Sequence, residues 1–281
     1  MAAVRHFNPQ RGTLAPAFQI TSRYRLADGY RSMGMRLAGW PVAISPGEKE
    51  PCRLISFAGP LVRASSWEPT AEHLRAAGCR VQVPDILAHH ASPPAWRART
   101  RSLLDHMAPA REMILVGHSS ASVLAADLAT RVPARSVIIV DGEVPPSRGP
   151  ASPVRPALRD YIRNLAQADG SLPVWSKWFS GDPQRTSLVG LDILARDPAA
   201  FAEFERELPK MHVDWFDDTI EIAGWDHIPA GLIQTSGIYD HAAAEAQRRG
   251  WPVTRLHGTH LHPTLCPAET AEAILAMSRR L

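Results

Sequence analysis

The sequence predicts an α/β fold: a mostly parallel central sheet with helices on both faces, interrupted by a helical insertion. Three observations predict it. Short apolar runs of strand length alternate with helix-length amphipathic stretches from residue 53 to 144 and again from 228 to the end. The runs at 112–117 and 136–140 are apolar almost throughout, as strands buried on both faces must be. Between 145 and 227 the alternation stops, and Trp175, Trp178, Phe179, Trp215 and Phe216 collect with no convincing β signal.

Composition bounds the rest. A chain of 281 residues, 45% hydrophobic and 21% charged, is long enough for one large domain with an insertion. At that length folding buries roughly 75% of the unfolded surface, so the core needs no staples. The balance of 31 basic against 28 acidic residues leaves +3. Arg97, Arg99 and Arg101, Arg248 with Arg249, and Arg279 with Arg280 form short clusters that fit solvated helix faces better than a phosphate track. Nucleic acid is therefore not an expected partner. Cys52, Cys79 and Cys266 are odd in number and lack metal or redox spacing, which suits reduced thiols in the cytoplasm. Arg5, His6, Asn8, Pro9 and Arg11 interrupt the first nineteen residues, so no secretory signal is expected. No apolar run approaches the ~18 residues of a membrane span. The abundance of Ala, Arg and Pro suggests a high-GC bacterial source.

Taken in order, residues 1–17 read as a loose N-terminal arm. Alternation from Phe18 to Ser45 around Asp28-Gly29 reads as a β-hairpin. Arg53–Ala58 is a buried strand and Glu68–Ala77 a helix closed by Gly78. Arg80–Pro84 is the next strand, ending at Asp85, and Pro94–Met107 is helical. Glu112–Gly117 is a strong strand running straight into the helix Ser120–Arg131. Ser136–Val140 ends at Asp141. Pro145–Pro156 reads as a linker, followed by helices at 157–167, 174–179, 198–208 and 213–222. Ala230–Thr235 and Pro252–Leu256 are strands, Ala242–Arg249 a helix closed by Gly250, and Ala268–Arg280 a last helix behind Pro267. The expected organisation is a core of 18–144 and 228–281 with a helical cap at 145–227.

The segment Gly117-His118-Ser119-Ser120-Ala121 lies where the apolar strand meets its helix. A serine there is held up on a tight turn above a helix N-terminus, whose free N–H groups favour developing negative charge. The last position of the G-x-S-x-G pattern is alanine here, still small. Serine at this point also serves as an ordinary helix cap, so the case for chemistry rests on other segments.

Those segments resemble the α/β-hydrolase superfamily from about residue 50 to the end. Phe57-Ala58-Gly59-Pro60, with Trp67 beyond it, resembles the family's oxyanion loop. The run Val83 to Pro93 resembles its D-x-x-G-x-G-x-S segment with both glycines replaced. Gly237-Ile238-Tyr239-Asp240 resembles the G-x-x-D that carries the acid. His257-Gly258-Thr259-His260-Leu261-His262 resembles the histidine loop, and His260, seven residues before Pro267, is its best match. The resemblance implies Ser119 as nucleophile, His260 as base and Asp240 as the third member, in the family's order. Asp141, with Glu143 beside it, is the rival acid.

The resemblance also implies an oxyanion hole with one donor from Ser120. The second usually comes from the position that is Pro60 here, which has no N–H. Leu61 through a shifted loop is the expected substitute. A side chain or water, or a reaction with little oxyanion charge, are the alternatives. Pro60, His118, Trp175, Trp178, Phe179 and Trp215 are the candidate substrate contacts, with the cap aromatics either lining an apolar pocket or gluing the lid down.

No phosphate-binding glycine motif and no H-E-x-x-H spacing is present, so no cofactor and no metal are expected. The implied activity is a cofactor-free serine hydrolase acting on an ester or thioester of a small apolar acyl compound. A lyase or cyclase using the same His260–Ser119 pair, and a receptor-like binding protein, are the alternatives. The oligomeric state stays open, with a homodimer among the options.

Overall fold

The computed structural model describes residues 52–59, 61–86 and 113–281. The expected arm and hairpin before residue 52, Pro60, most of the Val83–Pro93 run and the helix Pro94–Met107 lie outside the described residues.

Six strands form one parallel sheet. They are β1 (Arg53–Phe57), β2 (Arg80–Gln82), β3 (Met113–His118), β4 (Ala134–Val140), β7 (Ala230–Gln234) and β8 (Val253–Arg255). Their spatial order is β2-β1-β3-β4-β7-β8, and every neighbouring pair is parallel. Every residue of β3 and the last five of β4 are buried, which explains their unbroken apolar sequence. Helix α1 (Glu68–Ala76) starts with proline in its first turn and packs on α9 (Pro267–Ser278), while α2 (Ala121–Ala129) packs on β3 and β4. All nine residues of α2 are buried, so its small alanines and serines let it lie close to the sheet. Cys52 and Cys79 begin neighbouring strands, and a hydrogen bond between their thiols lowers Cys52 to about 7.

Register puts the functional turns side by side. Phe57 stands opposite Gly117, His118 opposite Val140, and Val140 opposite Ile233. The residues that follow β1, β3, β4 and β7 therefore share the C-terminal edge of the sheet, where ligands bind in parallel α/β architectures. Single hydrogen bonds step across that edge: Ser119 N–H to Val140 O at 3.1 Å, then Asp141 N–H to Ile233 O at 2.8 Å.

The insertion between β4 and β7 is not purely helical, contrary to the reading from sequence. Gly149–Ala151 (β5) and Ile220–Ile222 (β6) form a two-stranded antiparallel sheet at its two ends. Β5 lies inside the expected linker, and the expected helix 213–222 divides into a 3-10 turn, Val213–Phe216, and β6. Three residues per strand are too few to carry a readable alternation. Helix α3 (Pro156–Leu165) and helix α6 (Pro198–Glu207) lie close to the expected positions. Helices α4 (Pro183–Val189) and α5 (Leu191–Leu194) were not anticipated. Yet Asp182 caps α4 by accepting from Arg185 N–H, with Pro183 first in the helix, which is a legible start signal.

Candidate active site

The turn between β3 and α2 is built around a strained serine. Ser119 has φ +56°, in the left-handed region, which costs a side-chain-bearing residue about 1–3 kcal/mol. Its neighbours must be glycine for steric reasons. A Cβ on Gly117 would fall 2.7 Å from Ala121 O, and one on Gly142 would fall 2.5 Å from the Ser119 carbonyl oxygen. The loop after β1 passes beside the hydroxyl: a Cβ on Gly59 would stand 3.1 Å from Ser119 Cβ and 3.6 Å from Oγ. Among the described residues, neither Ser120 N–H nor Leu61 N–H is taken by a protein acceptor. Ser120 is buried at the start of α2 and Leu61 is half-buried beyond Gly59.

The acid facing His260 is Asp141, and this corrects the expectation that it is Asp240. Asp141 Oδ2 accepts from His260 Nδ1 at 2.7 Å. Asp141 is fully buried and collects three more donors, Thr235 N–H at 2.9 Å, Ser236 N–H at 2.8 Å and Ser236 Oγ at 2.7 Å. Burial alone would raise its pKa. The bond from His260, that imidazole's charge and the Ser236 and Thr235 donors outweigh burial and hold the carboxyl below its ordinary value. Asp240 is exposed at the start of helix α7 (Asp240–Arg248). It accepts from Gln234 Nε2, whose Oε1 in turn accepts from Arg255 Nε at 3.0 Å. Gln234, Asp240, Arg255 and His257 line a polar cleft. The physical reason is the direction of the β7 turn, which puts Ser236 on Asp141 and turns Asp240 outward.

His118 also departs from expectation. Rather than facing substrate it is buried, with Nδ1 accepting from Trp67 Nε1 at 3.2 Å and Nε2 donating to the His260 carbonyl at 3.0 Å. An indole N–H can only donate, which fixes the neutral tautomer with its proton on Nε2. Burial and the nearby His260, opposed by Asp141 and the His260 carbonyl, lower His118 to about 3. His118 and Trp67 therefore prop the backbone of the histidine loop. The insertion holds the same loop from another side. His260 N–H donates to Leu188 O at 3.1 Å, and Leu261 N–H donates to Val189 O at 2.9 Å.

One side chain beside Ser119 escaped sequence reading. Tyr239 is buried, its hydroxyl lies 3.3 Å from Ser119 Oγ, and its ring stacks on His260 at 5.6 Å between centroids. Burial pushes its phenol well above the ordinary value, against the Ser119 hydrogen bond, which lowers it. The only sequence signal was its place just before Asp240. Among the described residues, His260 Nε2 has no hydrogen-bond partner in the protein, Ser119 included.

Of the cap aromatics, Trp175 meets the site, its ring set edge-on to His260 at 6.3 Å. Trp178 and Trp215 pack on Phe216 in the interior of the insertion, and Trp178 Nε1 donates to Pro173 O. Phe179 stacks on Tyr161. All three pack against other aromatic rings within the insertion, where bulky rings bury their area. His262, Cys266 and Glu269 bring ligand atoms within 4.8 Å of one another, with His262 Nε2 and Glu269 Oε2 paired at 3.0 Å. Among the described residues no helix is long and apolar enough to cross a membrane.

A family model described as "Alpha/beta hydrolase family" matches residues 54–273. The chain belongs to the α/β-hydrolase family. No curated protein matches it. Solved structures do, at low identity. An extracellular α/β-hydrolase from a Paenibacillus species, described as sharing homology with tobacco salicylic acid binding protein 2, is 16% identical. It covers 81% of this chain and 99% of its own, with a TM-score of 0.60. Polyneuridine aldehyde esterase is 11% identical over 82% of this chain and 100% of its own, at 0.61. Tomato methylketone synthase I, solved with 2-tridecanone, is 12% identical over 83% and 99%, at 0.64. At such identities the likeness shows the shared fold. The family match supports an enzyme.

Proposed function

We propose that this α/β-hydrolase is a cofactor-free serine hydrolase that cleaves an ester or thioester of a small, mainly apolar acyl compound. One observation carries the reading: a serine strained onto the strand-to-helix turn shares the sheet edge with a histidine whose Nδ1 is fixed on a buried carboxylate. With Nδ1 committed to Asp141, Nε2 of His260 is the nitrogen that acts as base. The Ser119 hydroxyl turns its hydrogen to Nε2, gives up its proton and attacks the acyl carbon. Ser120 N–H and Leu61 N–H receive the oxyanion. His260 then returns the proton to the leaving group, and water admitted through the same base releases the acid. Asp141 keeps the tautomer and stabilises the imidazolium. The insertion 145–227 acts as a lid, supported by its backbone bonds to the histidine loop and by Trp175 over His260.

A second reading is favoured by the resting contact of Ser119 with Tyr239. In it His260 moves protons on a bound substrate without acyl transfer, as in a lyase or cyclase. A fluorophosphonate probe separates the two. Stoichiometric labelling at Ser119, lost in Ser119→Ala, supports the hydrolase. Turnover of a substrate without labelling supports the lyase, and neither labelling nor turnover of any substrate removes both.

A further inference from the structure

We infer that Tyr239 is a catalytic residue that donates a hydrogen bond to Ser119 Oγ and speeds release of the acyl group from that oxygen. The inference rests on the serine-hydrolase reading above and deepens it.

The geometry points to donation from the phenol. Tyr239 OH lies 3.3 Å from Ser119 Oγ, and either oxygen could supply the hydrogen. Among the described residues, no other hydrogen-bond partner faces the phenol. If Ser119 donated to it, the phenolic proton would be left buried without an acceptor, at a real free-energy cost. If Tyr239 donates, the buried phenol is satisfied and the serine proton stays free for Nε2 of His260. The hydroxyl is placed by the acid's own turn. Ser236, three residues earlier, is clamped on Asp141 by two hydrogen bonds, and the 3-10 turn Gly237–Tyr239 follows directly. Stacking on His260 fixes the ring plane. Burial keeps the phenol protonated across the working range, so the donor is not lost to titration.

The position of this donor decides which step it serves. Gly59 follows β1, on one side of the serine strand, and Tyr239 follows β7, on the other. The oxyanion is bound on the Gly59 side, so Tyr239 addresses Oγ itself. A donor to an oxygen lowers its basicity. In attack the gain is small, because the bond is already made to the resting hydroxyl and only strengthens as charge builds. The donor does help the oxygen leave. In deacylation water attacks the acyl carbon and its proton passes to His260. The Oγ–acyl bond then breaks, and Oγ takes the proton back from Nε2 while Tyr239 holds the charge that develops on it. The products are the free acid and the regenerated serine, with no further reactant needed.

Stopped-flow kinetics with a p-nitrophenyl ester of a short fatty acid, on the full chain, test this. Tyr239→Phe lowers kcat by about 10- to 100-fold, the worth of a hydrogen bond to a charged atom. KM falls with it, kcat/KM stays nearly constant, and a burst of one equivalent of p-nitrophenol appears. Replacement of Tyr239 by 3-fluorotyrosine, a stronger donor of nearly the same shape, raises kcat, and it serves as the test if Tyr239→Phe does not fold. An unchanged kcat in both variants overturns the inference, as does an equal fall in kcat and kcat/KM without a burst. Fluorophosphonate labelling of Ser119 in the unmodified chain is read separately, so failure of the hydrolase reading is told apart from failure of the Tyr239 role.

Discussion

The turns that follow β4 and β7 each present an aspartate at the C-terminal edge of the sheet. Asp141 is fully buried, adopts φ +42° and gathers four donors, one of them His260. Asp240, exposed at a helix start, pairs with Gln234 beside a solvent-facing cleft. The two turns are joined, because Thr235 and Ser236 of the second supply three of the four bonds to the acid of the first. The second turn thus contributes to the site through its backbone, Ser236 and Tyr239, while its own carboxylate looks away. A carboxylate at the right place in the chain is therefore insufficient; it must be desolvated and aimed.

The sharpest way to break this comparison is to neutralise each acid in turn. Asp141→Asn lowers kcat for a p-nitrophenyl ester by about 10⁴, as loss of the orienting acid does in serine-histidine-aspartate sites. Asp240→Asn leaves kcat nearly unchanged; the reverse order would return the acid to the β7 turn. Acid stability separates the turns next. His118 falls to about 3 on folding from an ordinary value near 6.5, so the unfolded chain binds its proton first. Its contribution is complete above about pH 6.5 and is lost as pH falls toward 3, by up to about 5 kcal/mol in all. The depressed Asp141 adds a loss at still lower pH, below the ordinary carboxylate range. Urea unfolding against pH checks this. His118→Gln flattens the profile between pH 6.5 and 4.

Smaller effects refine the picture. Trp67→Phe removes the donor to His118 Nδ1 and costs about 1–3 kcal/mol in thermal unfolding, with the ester rate falling as the His260 backbone loosens. Asp240→Ala removes an exposed acceptor of Gln234, whose amide still donates to Ser236 O at 3.0 Å, and changes stability by only about 0.5 kcal/mol. A large loss there would show that the β7 turn depends on Asp240 after all.

Much of this site was legible in the chain. The apolar run ending in Gly117-His118-Ser119 identified the strand, the turn and the strained serine, because close packing at that turn leaves room for few residue types. The spacing of His260 from Pro267 identified its loop, and the alternation of runs identified the parallel sheet. His118, Tyr239 and Trp67 were not legible in their roles, since each acts on residues more than fifty positions away. The insertion's aromatics were legible only as buried residues, for a related reason. Apolar content marks what is buried, and burial in a small layer and burial against substrate have the same composition.

By itself, then, the sequence determined which segments become strands and helices and which turn carries the serine, for these follow from local periodicity and local sterics. Only the tertiary structure decided which aspartate meets His260. That choice rests on register: Val140 stands opposite Ile233, so the β7 turn closes over Asp141 with Thr235 and Ser236 and sends Asp240 to solvent. Non-local register of this kind is set by packing of the whole sheet edge, and no run of adjacent residues encodes it.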